Sequence, residues 1–455
     1  VSSAAVLKGD ALGGLTARVH ADYRALTPGS EALFRRAARV LPGGVSGNLR
    51  YFAPHPLYMS GGEGAWTQDV DGHRYIDCFL CNGPLLPGHN HPSVRQMLEK
   101  HRQTGSLVLN PALLVACAEK ICALVPGAEQ VRFLNSGTEA VLTAVRYARA
   151  YTGRHKILKF YGHYHGQDDQ FLVGAGPLRT PFGHGVAPQA YAHTLTVPFN
   201  DIDAVRRTLV EDSDVAAVVL DPAMHSGGLW GTSRDYLAAL REITRQTGAV
   251  LIFDEVITGF RLSPGGAQGL YGVTPDLTTL AKALGAGERI AAVAGRAEVM
   301  RVVDPLHGDP TRRVFQSGTG NDGTAGLAAA FAALDIYRAQ GTQGYARLDA
   351  LAVRLAQGLR SVFRAAGIGC HINQSASMLQ IFLTRDAPEF TRYASLDTRL
   401  VDLFYLALMT RGVMLSLPTS NHIYLSFAHG NAEIDTILAA AREVVDHYGF
   451  AEAAA

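Results

Sequence analysis

From about residue 110 onward, short and mostly apolar stretches recur between helical ones. They are "VRFL" (131–134), "KILKF" (156–160), "VAAVVL" (215–220), the run 249–253 and "RIAAVAG" (289–295). A strand with one face in water alternates apolar and polar residues, whereas a strand apolar throughout must be covered on both faces. Amphipathic patterns over 112–125, 138–152 and 235–247 supply those covers. The combination predicts an α/β fold with a mainly parallel central sheet and helices on both faces. A helix over 324–339 then leads to shorter, more mixed strands, "SMLQIFL" (377–383) and "HIYLSFA" (422–428), read as a smaller α+β C-terminal domain. Ahead of the sheet, Ser30 is expected to cap a helix over 31–41 with Phe34, Ala37, Val40 and Leu41 on one face. An Asp71-Gly72 turn should join the two short strands of "AWTQDVDGHRYID". Residues 1 to about 28, small and polar, are expected to pack loosely or to reach a partner. The expected organisation is an N-terminal segment over 1–75, a large ligand-binding domain over 76–335 and a small domain over 336–455.

Bulk properties narrow the function. At 455 residues the chain has room for two or three domains. Its 41 basic and 40 acidic side chains nearly cancel, so charge points to neither nucleic acid nor an anionic membrane as partner. The longest apolar run, Ala325 to Leu334, is far short of the roughly 18 residues a membrane span needs. "VSSAAVLKGDALGGL" lacks the basic start and continuous apolar stretch of a signal peptide. A soluble, cytoplasmic protein is expected. Five cysteines at irregular spacing, with Cys78 and Cys81 forming an isolated CxxC, read as reduced thiols rather than a zinc site or disulfides.

Chemistry concentrates where the apolar strands stop. "FDEVITGFR" (253–261) ends a buried strand in two carboxylates, Asp254 and Glu255, which are costly beside a core unless a charge meets them. "RFLNSGTEA" (132–140) runs a strand into Ser136, Gly137 and Thr138 at a helix start. Free N–H groups and the helix dipole favour a phosphate there, although an ordinary Ser/Thr cap would read the same. "FYGHYHG" (160–166) brings Tyr164 and His165 to another strand end, near that phosphate turn, where open α/β sheets bind their ligands. Tyr164 can stack on a flat ligand or simply line a rim. Lys282, within "PDLTTLAKALGAGERIAAVAG" (275–295), follows an apolar run and precedes a Gly-rich turn. That setting suits an activated amine as well as a solvated helix-end lysine. "FQSGTGND" (315–322) is a further turn able to hold a phosphate. No GxxxxGK[ST] is present, and no GxGxxG opens a βαβ unit.

Together these stretches ask for one ligand carrying a phosphate, a flat ring, a cationic ring atom and an electrophile for a lysine. Pyridoxal 5′-phosphate meets all four demands. Asp254 would hold its ring nitrogen and keep it protonated. Glu255, on the opposite side of the strand, is expected to be structural.

"NSGTEA", "YHG", "DEVITGFR" and "PDLTTLAK", in that order, resemble the class III (subgroup II) pyridoxal-phosphate aminotransferases. The likeness is nearest to the glutamate-1-semialdehyde aminomutase branch and its aminotransferase relatives acting on β-amino acids and D-phenylglycine. It extends from "LPGGVSGNLRYF" through "DVDGHRYID", "GPLLPGHNHP" and "GTGNDG" to "SFAH" and "EID". The resemblance implies fold type I and a homodimer with active sites at the subunit interface. Lys282 would carry the cofactor covalently, Asp254 would meet its ring nitrogen and Tyr164 would stack on the ring, with His165 beside it. Ser136, Gly137 and Thr138 would hold the phosphate, helped by Thr319 of the neighbouring subunit, and Arg50 would bind a substrate carboxylate. The chain departs from the family pattern at four places. Asp221-Pro222 replaces Glu-Pro, and Gly323-Thr324 replaces Asn-Pro. "CNGP" replaces "SWGP", putting Asn82 where a Trp would line the pocket, and Asn421 replaces a glutamate. The last two bear on the substrate site.

The function expected from this reading is amino-group exchange between an amino acid, aryl-bearing or β-amino, and a keto acid. An aminomutase, racemase or epimerase would use the same Lys282 and cofactor and is the alternative. A metal-dependent hydrolase is a remote third, suggested by HxH in "GHNHP" (88–92) and "GHYHG" (162–166).

Overall fold

The structure, a computed structural model, describes residues 9–176, 180–307, 309–390 and 395–454. It divides into two compact units, one made of the residues up to 91 with those from 346 onward, the other of residues 92–345.

The first unit opens with a helix, Gly9–Leu26. The expectation of loose packing fails for this stretch: Leu12, Leu15, Val19 and Tyr23 are buried. Their spacing of three or four residues is a helical stripe, hidden in the sequence by the small residues around it. Residues 1–8 lie outside the described residues. The next helix runs over Pro28–Ala37, not 31–41, and Ser30 lies inside it. Its cap comes from elsewhere. Asp71, in the hairpin turn, accepts the Gly29 N–H at 2.6 Å and the Ser30 N–H at 3.0 Å. Val40, expected on an apolar face, is 80% exposed in the turn that follows the helix. Strands β1 (Met59–Glu63), β2 (Trp66–Asp69) and β3 (Arg74–Asp77) form an antiparallel meander, with the Asp71-Gly72 turn between β2 and β3 as expected.

The central unit holds β4 (Gln130–Leu134), β5 (Lys156–Phe160), β6 (Thr194–Val197), β7 (Val215–Leu220), β8 (Val250–Glu255), β9 (Leu277–Leu280) and β10 (Ala291–Gly295) in the order β4-β10-β9-β8-β7-β5-β6. Strands β6, β5, β7, β8 and β9 are parallel to one another, and β10 runs antiparallel between β9 and β4. The ten residues joining β9 to β10 are too few for a parallel crossover, which takes about a dozen or more. Ala217, Val219, Val250, Ile252, Ala291 and Val293 form one core with Ala140, Val141, Ala144 and Val145 of the helix Gly137–Thr152. The alternate residues Ala216, Val218, Leu220, Leu251 and Phe253 are buried as well. Burial on both faces is why these strands read as unbroken apolar runs. Each large apolar side chain so buried contributes about 1.5–3 kcal/mol.

The helix over Thr324–Ala365 breaks at Gly341, whose φ is 53°, which makes two helices of it. Strands β11 (His371–Ser375), β12 (Met378–Phe382) and β14 (Ile423–Tyr424) form a small antiparallel sheet in the first unit. Strand β13 (Val413–Met414) pairs in parallel with β3, so the N-terminal and C-terminal stretches, set apart in the sequence reading, share a sheet. No helix among the described residues is long and apolar enough to cross a membrane.

Candidate active site

Strands β4, β5, β7, β8 and β9 end at one edge of the central sheet, where an open α/β sheet presents its loops to a ligand. A cavity of about 260 Å³ lies there, lined by Ser136, Thr138, Tyr164, Asp221, Asp254 and Lys282 among others. This is close to the lower end of small-molecule pockets, roughly 300–1,000 Å³. The central unit thus gathers four of the stretches singled out in the sequence around one space.

The two carboxylates of β8 point to opposite sides, as the strand's period of two requires. Asp254, 5% exposed, lines the cavity. Its Oδ2 accepts from His165 Nδ1 at 2.7 Å, and its Oδ1 accepts from Thr279 Oγ1 at 3.1 Å and from the Val256 N–H at 3.2 Å. An ionised carboxylate offers about four acceptor sites, so three bonds leave capacity for a donor in the cavity. Glu255 is buried on the far side. It accepts from the Ala267 N–H at 2.5 Å, from Gln268 Nε2 at 2.9 Å and from Thr258 Oγ1 at 3.2 Å. Its role is structural, as expected. Neighbouring β9 serves both networks by the same alternation: Thr279 bonds Asp254, while Thr278 accepts from Gln268 Nε2 at 2.7 Å. The sequence reading missed Thr278, Thr279 and Gln268. The paired threonines of "LTTL", polar residues inside an otherwise apolar strand, were the available signal.

Lys282 stands just past the end of β9 with a left-handed backbone, φ 46°. Burial lowers its amine to about 8, against the opposing pull of Asp254 and Asp221. Asp221 is itself buried and accepts the Ala223 and His225 N–H groups at 3.1 and 3.0 Å. Burial, reinforced by Asp254, pushes its carboxyl up to about 7. At neutral pH this corner of the cavity therefore holds an amine and a carboxyl that are each close to gaining or losing a proton.

At the other end of the cavity the helix Gly137–Thr152 begins. Ser136 is its N-cap, accepting the Glu139 N–H at 3.2 Å, and Glu139 returns a bond to the Asn135 N–H at 2.9 Å. With the Glu139 N–H taken by this cap, the N–H groups of Gly137 and Thr138 remain as the first-turn donors for an anion. Two glycines keep the turn tight. A Cβ on Gly137 would stand 2.9 Å from Val256 Cγ1, and one on Gly166 (φ 95°) would stand 2.5 Å from Thr138 Oγ1. Tyr164, 44% exposed, lines the cavity, and burial with Asp254 nearby raises its phenol pKa. His165 lines the same cavity as the Ser136–Thr138 turn and directs its Nδ1 to Asp254.

This donor set fits pyridoxal 5′-phosphate. The cavity offers an amine, a carboxylate with a free acceptor site, an aromatic face and a helix N-terminus, and those are the four groups such a ligand needs.

The remaining candidates behave differently. Thr319 is exposed and is not among the residues lining the cavity of its own chain, though its loop is held by a 2.9 Å bond from Asn135 Nδ2 to Asn321 Oδ1. Arg50, Asn82 and Asn421 all belong to the first unit. There Thr419 Oγ1 donates to Leu49 O at 2.8 Å, and Arg50 lowers the pKa of the Cys81 thiol, which burial and Asp77 raise. Tyr424 donates to Asn82 Oδ1 at 2.9 Å, and the Asn421 side chain bonds Asp402, whose carboxyl burial pushes up to about 7. Leu80, Cys81 and Asn82 take left-handed φ in succession, a strain that clusters at functional sites. The histidines of the HxH pairs have other partners. His89 bonds Asp77 at 2.7 Å, and His163 and His165 bond the Asp221 N–H and Asp254. No group of three or more His, Cys, Asp or Glu placed to hold a metal ion occurs among the described residues.

Comparison with known proteins agrees with this geometry. A glutamate-1-semialdehyde 2,1-aminomutase of Methanothermobacter thermautotrophicus is 40% identical over 424 residues, 91% of this chain and 98% of that one. A β-phenylalanine aminotransferase from Variovorax paradoxus superposes with a TM-score of 0.85 at 32% identity, covering 96% of this chain and 98% of that one. A transaminase solved with pyridoxal phosphate bound superposes with a TM-score of 0.84 at 32% identity, over 93% and 98% of the two chains. The architecture is that of the pyridoxal-phosphate-dependent transferases. Residues 51–367 match the family described as aminotransferase class-III, and the chain belongs to it.

Proposed function

We propose that this chain uses pyridoxal 5′-phosphate to move an amino group on a small molecule, with Lys282 and Asp254 as its two essential side chains. Pyridoxal 5′-phosphate is the cofactor of this enzyme. When bound, it supplies an electrophilic carbonyl carbon and a pyridinium ring that withdraws electrons from the carbon bearing the substrate nitrogen. The observation that carries the proposal is the pairing of a lysine amine lowered to about 8 with a hydrogen-bonded carboxylate in one cavity.

The roles follow from the contacts. The first-turn N–H groups of Gly137 and Thr138, beside the Ser136 cap, would bind the phosphate. Tyr164 would cover a face of the ring, and His165 acts through Asp254. The Asp254 carboxylate would accept the ring N–H and keep the proton on that nitrogen. Lys282 Nζ, partly free base at neutral pH, is both the attachment point and the group that takes a proton from the substrate carbon and returns it. Arg50 would clamp a substrate carboxylate with its planar fork. Thr319 would reach the phosphate site of a second copy. Its exposure supports that reading, as does the exposure of Leu109 and Phe315 in the same unit.

Two routes share this machinery. Transfer within one molecule, as in an aminomutase, has the support of the chain-wide 40% identity to a glutamate-1-semialdehyde aminomutase. Exchange between two molecules is favoured by the residues at the two departures. Asn82 is bonded by Tyr424 and Asn421 bonds Asp402, so neither supplies the bulk or charge that would retain a deaminated intermediate. An aryl-bearing or β-amino substrate fits this second route, and the likeness to the β-phenylalanine aminotransferase supports it.

One experiment separates them. The purified enzyme is given glutamate 1-semialdehyde alone, and in parallel β-phenylalanine with and without a keto acid. A positional isomer of the semialdehyde with no released oxo product establishes the aminomutase. Oxo product released from β-phenylalanine, sustained only when keto acid is present, establishes the aminotransferase. A colourless protein inert in both arms would refute the common proposal.

A further inference from the structure

His163 is completely buried in the turn after β5, with the rings of Phe160 and Phe199 at 5.4 and 4.7 Å, and none of the roles above uses it. Its Nδ1 accepts the Asp221 N–H at 3.0 Å. A neutral imidazole whose Nδ1 accepts must carry its hydrogen on Nε2. His165 is fixed the other way round. Its Nδ1 faces Asp254 Oδ2 at 2.7 Å, and because an ionised carboxylate only accepts, the hydrogen sits on Nδ1 and Nε2 keeps a bare lone pair. Burial lowers both pKa values from the ordinary 6.5, outweighing the opposing pull of Asp254 on His165, so at neutral pH the two rings are neutral.

The tautomers therefore leave one donor and one acceptor unmatched. His163 Nε2 and His165 Nε2 are both buried without a hydrogen-bond partner, on rings whose centroids are 5.8 Å apart. Unmatched buried polar atoms are costly, and here each is the complement of the other.

We propose that His163 Nε2–H donates to His165 Nε2 through one buried water, and that His163 is thereby a positioning residue for Asp254. The chain of bonds then runs Asp221 N–H to His163, His163 to His165, and His165 to Asp254, with every donor aimed at the carboxylate. It fixes the His165 tautomer, so that Asp254 always receives a hydrogen from that side and presents its remaining acceptor site to the cavity. Lys159 is the other charged group acting on both rings. It donates to Phe171 O and Val173 O at 3.1 and 2.8 Å, and burial lowers its amine to about 7. This inference rests on the reading of Asp254 as the partner of the cofactor's ring nitrogen.

Two variants isolate the donor. His163→Phe removes both ring nitrogens, whereas His163→Gln restores an N–H at the reach of Nε2 together with an amide oxygen that can accept. The readout is the pH at which the visible absorbance of the bound cofactor titrates. His163→Phe should move it by about one unit, the scale of one lost hydrogen bond, and His163→Gln should leave it near wild type. No shift in the Phe variant, or an equal shift in both, overturns the proposal. Nuclear magnetic resonance of wild-type protein labelled with ¹⁵N-histidine tests it without any variant. Hydrogens on His163 Nε2 and His165 Nδ1 are expected, and a hydrogen on His163 Nδ1 or His165 Nε2 overturns it. A wild-type protein that binds no pyridoxal phosphate would sink the functional reading instead, and the tautomer measurement would still decide the histidine pair.

Discussion

Lys282 and Asp221 are two side chains of the cavity whose protonation lies close to neutrality, and each supports a separate prediction. Borohydride reduction of the yellow enzyme followed by peptide mapping should place the modified residue at Lys282, and Lys282→Ala should lower turnover by about 10³-fold or more. A modified peptide that excludes Lys282 would remove it from the mechanism. Asp221 bears on stability. Its carboxyl is raised from an ordinary 3.8 to about 7, so between those values the folded protein binds more protons than the unfolded chain. Its contribution therefore falls as pH rises through that window and levels off above about 7. Asp221→Asn stays neutral throughout. The variant should gain on wild type by about 3 kcal/mol between pH 4 and pH 7, read from urea midpoints of the cofactor-free enzyme. A difference that does not change with pH would mean that Asp221 is already ionised in the fold. Arg50→Ala should raise KM for amino acids well above its effect on simple amines, and equal effects on both would remove the carboxylate clamp.

Strand β8 shows how much a single element can encode. "FDE" was legible as a buried strand ending in two carboxylates of different duty, because period two sends neighbours to opposite faces. The prediction at this scale is a dissociation of effects. Asp254→Asn should cost about 10³-fold in turnover with little change in unfolding midpoint. Glu255→Ala leaves the Ala267 N–H and one hydrogen of Gln268 Nε2 unmatched and should cost about 2–4 kcal/mol of stability, with the cofactor's absorption unchanged. Reversed outcomes would interchange the two roles. The strands buried on both faces were readable for the same reason, since nothing but a covered sheet tolerates "VAAVVL". What escaped were features set by partners distant in sequence. The helix Pro28–Ala37 is capped by Asp71 from another turn, so inspection of its own first residues chose the wrong cap. The bond from His165 to Asp254 was not foreseen, because its side chain's direction depends on a strand end some ninety residues later. Antiparallel β10 was invisible as such, because its apolar pattern is the same in either direction and only the short connection from β9 decides it.

For the whole molecule, the proposed dimer makes a prediction about mixtures. If Thr319 completes the site of a second copy, each site needs Lys282 from one chain and Thr319 from the other. Co-refolding inactive Lys282→Ala chains with inactive Thr319→Ala chains should then yield one site lacking both groups and one site intact per mixed dimer. Activity should recover to about a quarter of wild type in the randomly paired mixture, and to about half in the mixed species once it is separated. Full activity in a demonstrably monomeric preparation would exclude the shared site. A different consequence follows from the pairing of β13 with β3, strands more than three hundred residues apart in the chain. The unit over 92–345 is continuous, and each of its strands finds its neighbours within its own span. The other unit cannot close until the ribosome has released the residues of β13. During synthesis the ligand-binding sheet can therefore be finished while the amino-terminal ninety residues still wait for their partner strand. In that interval the order of translation, rather than the stability of the final protein, sets which surfaces are open to aggregation or to a chaperone.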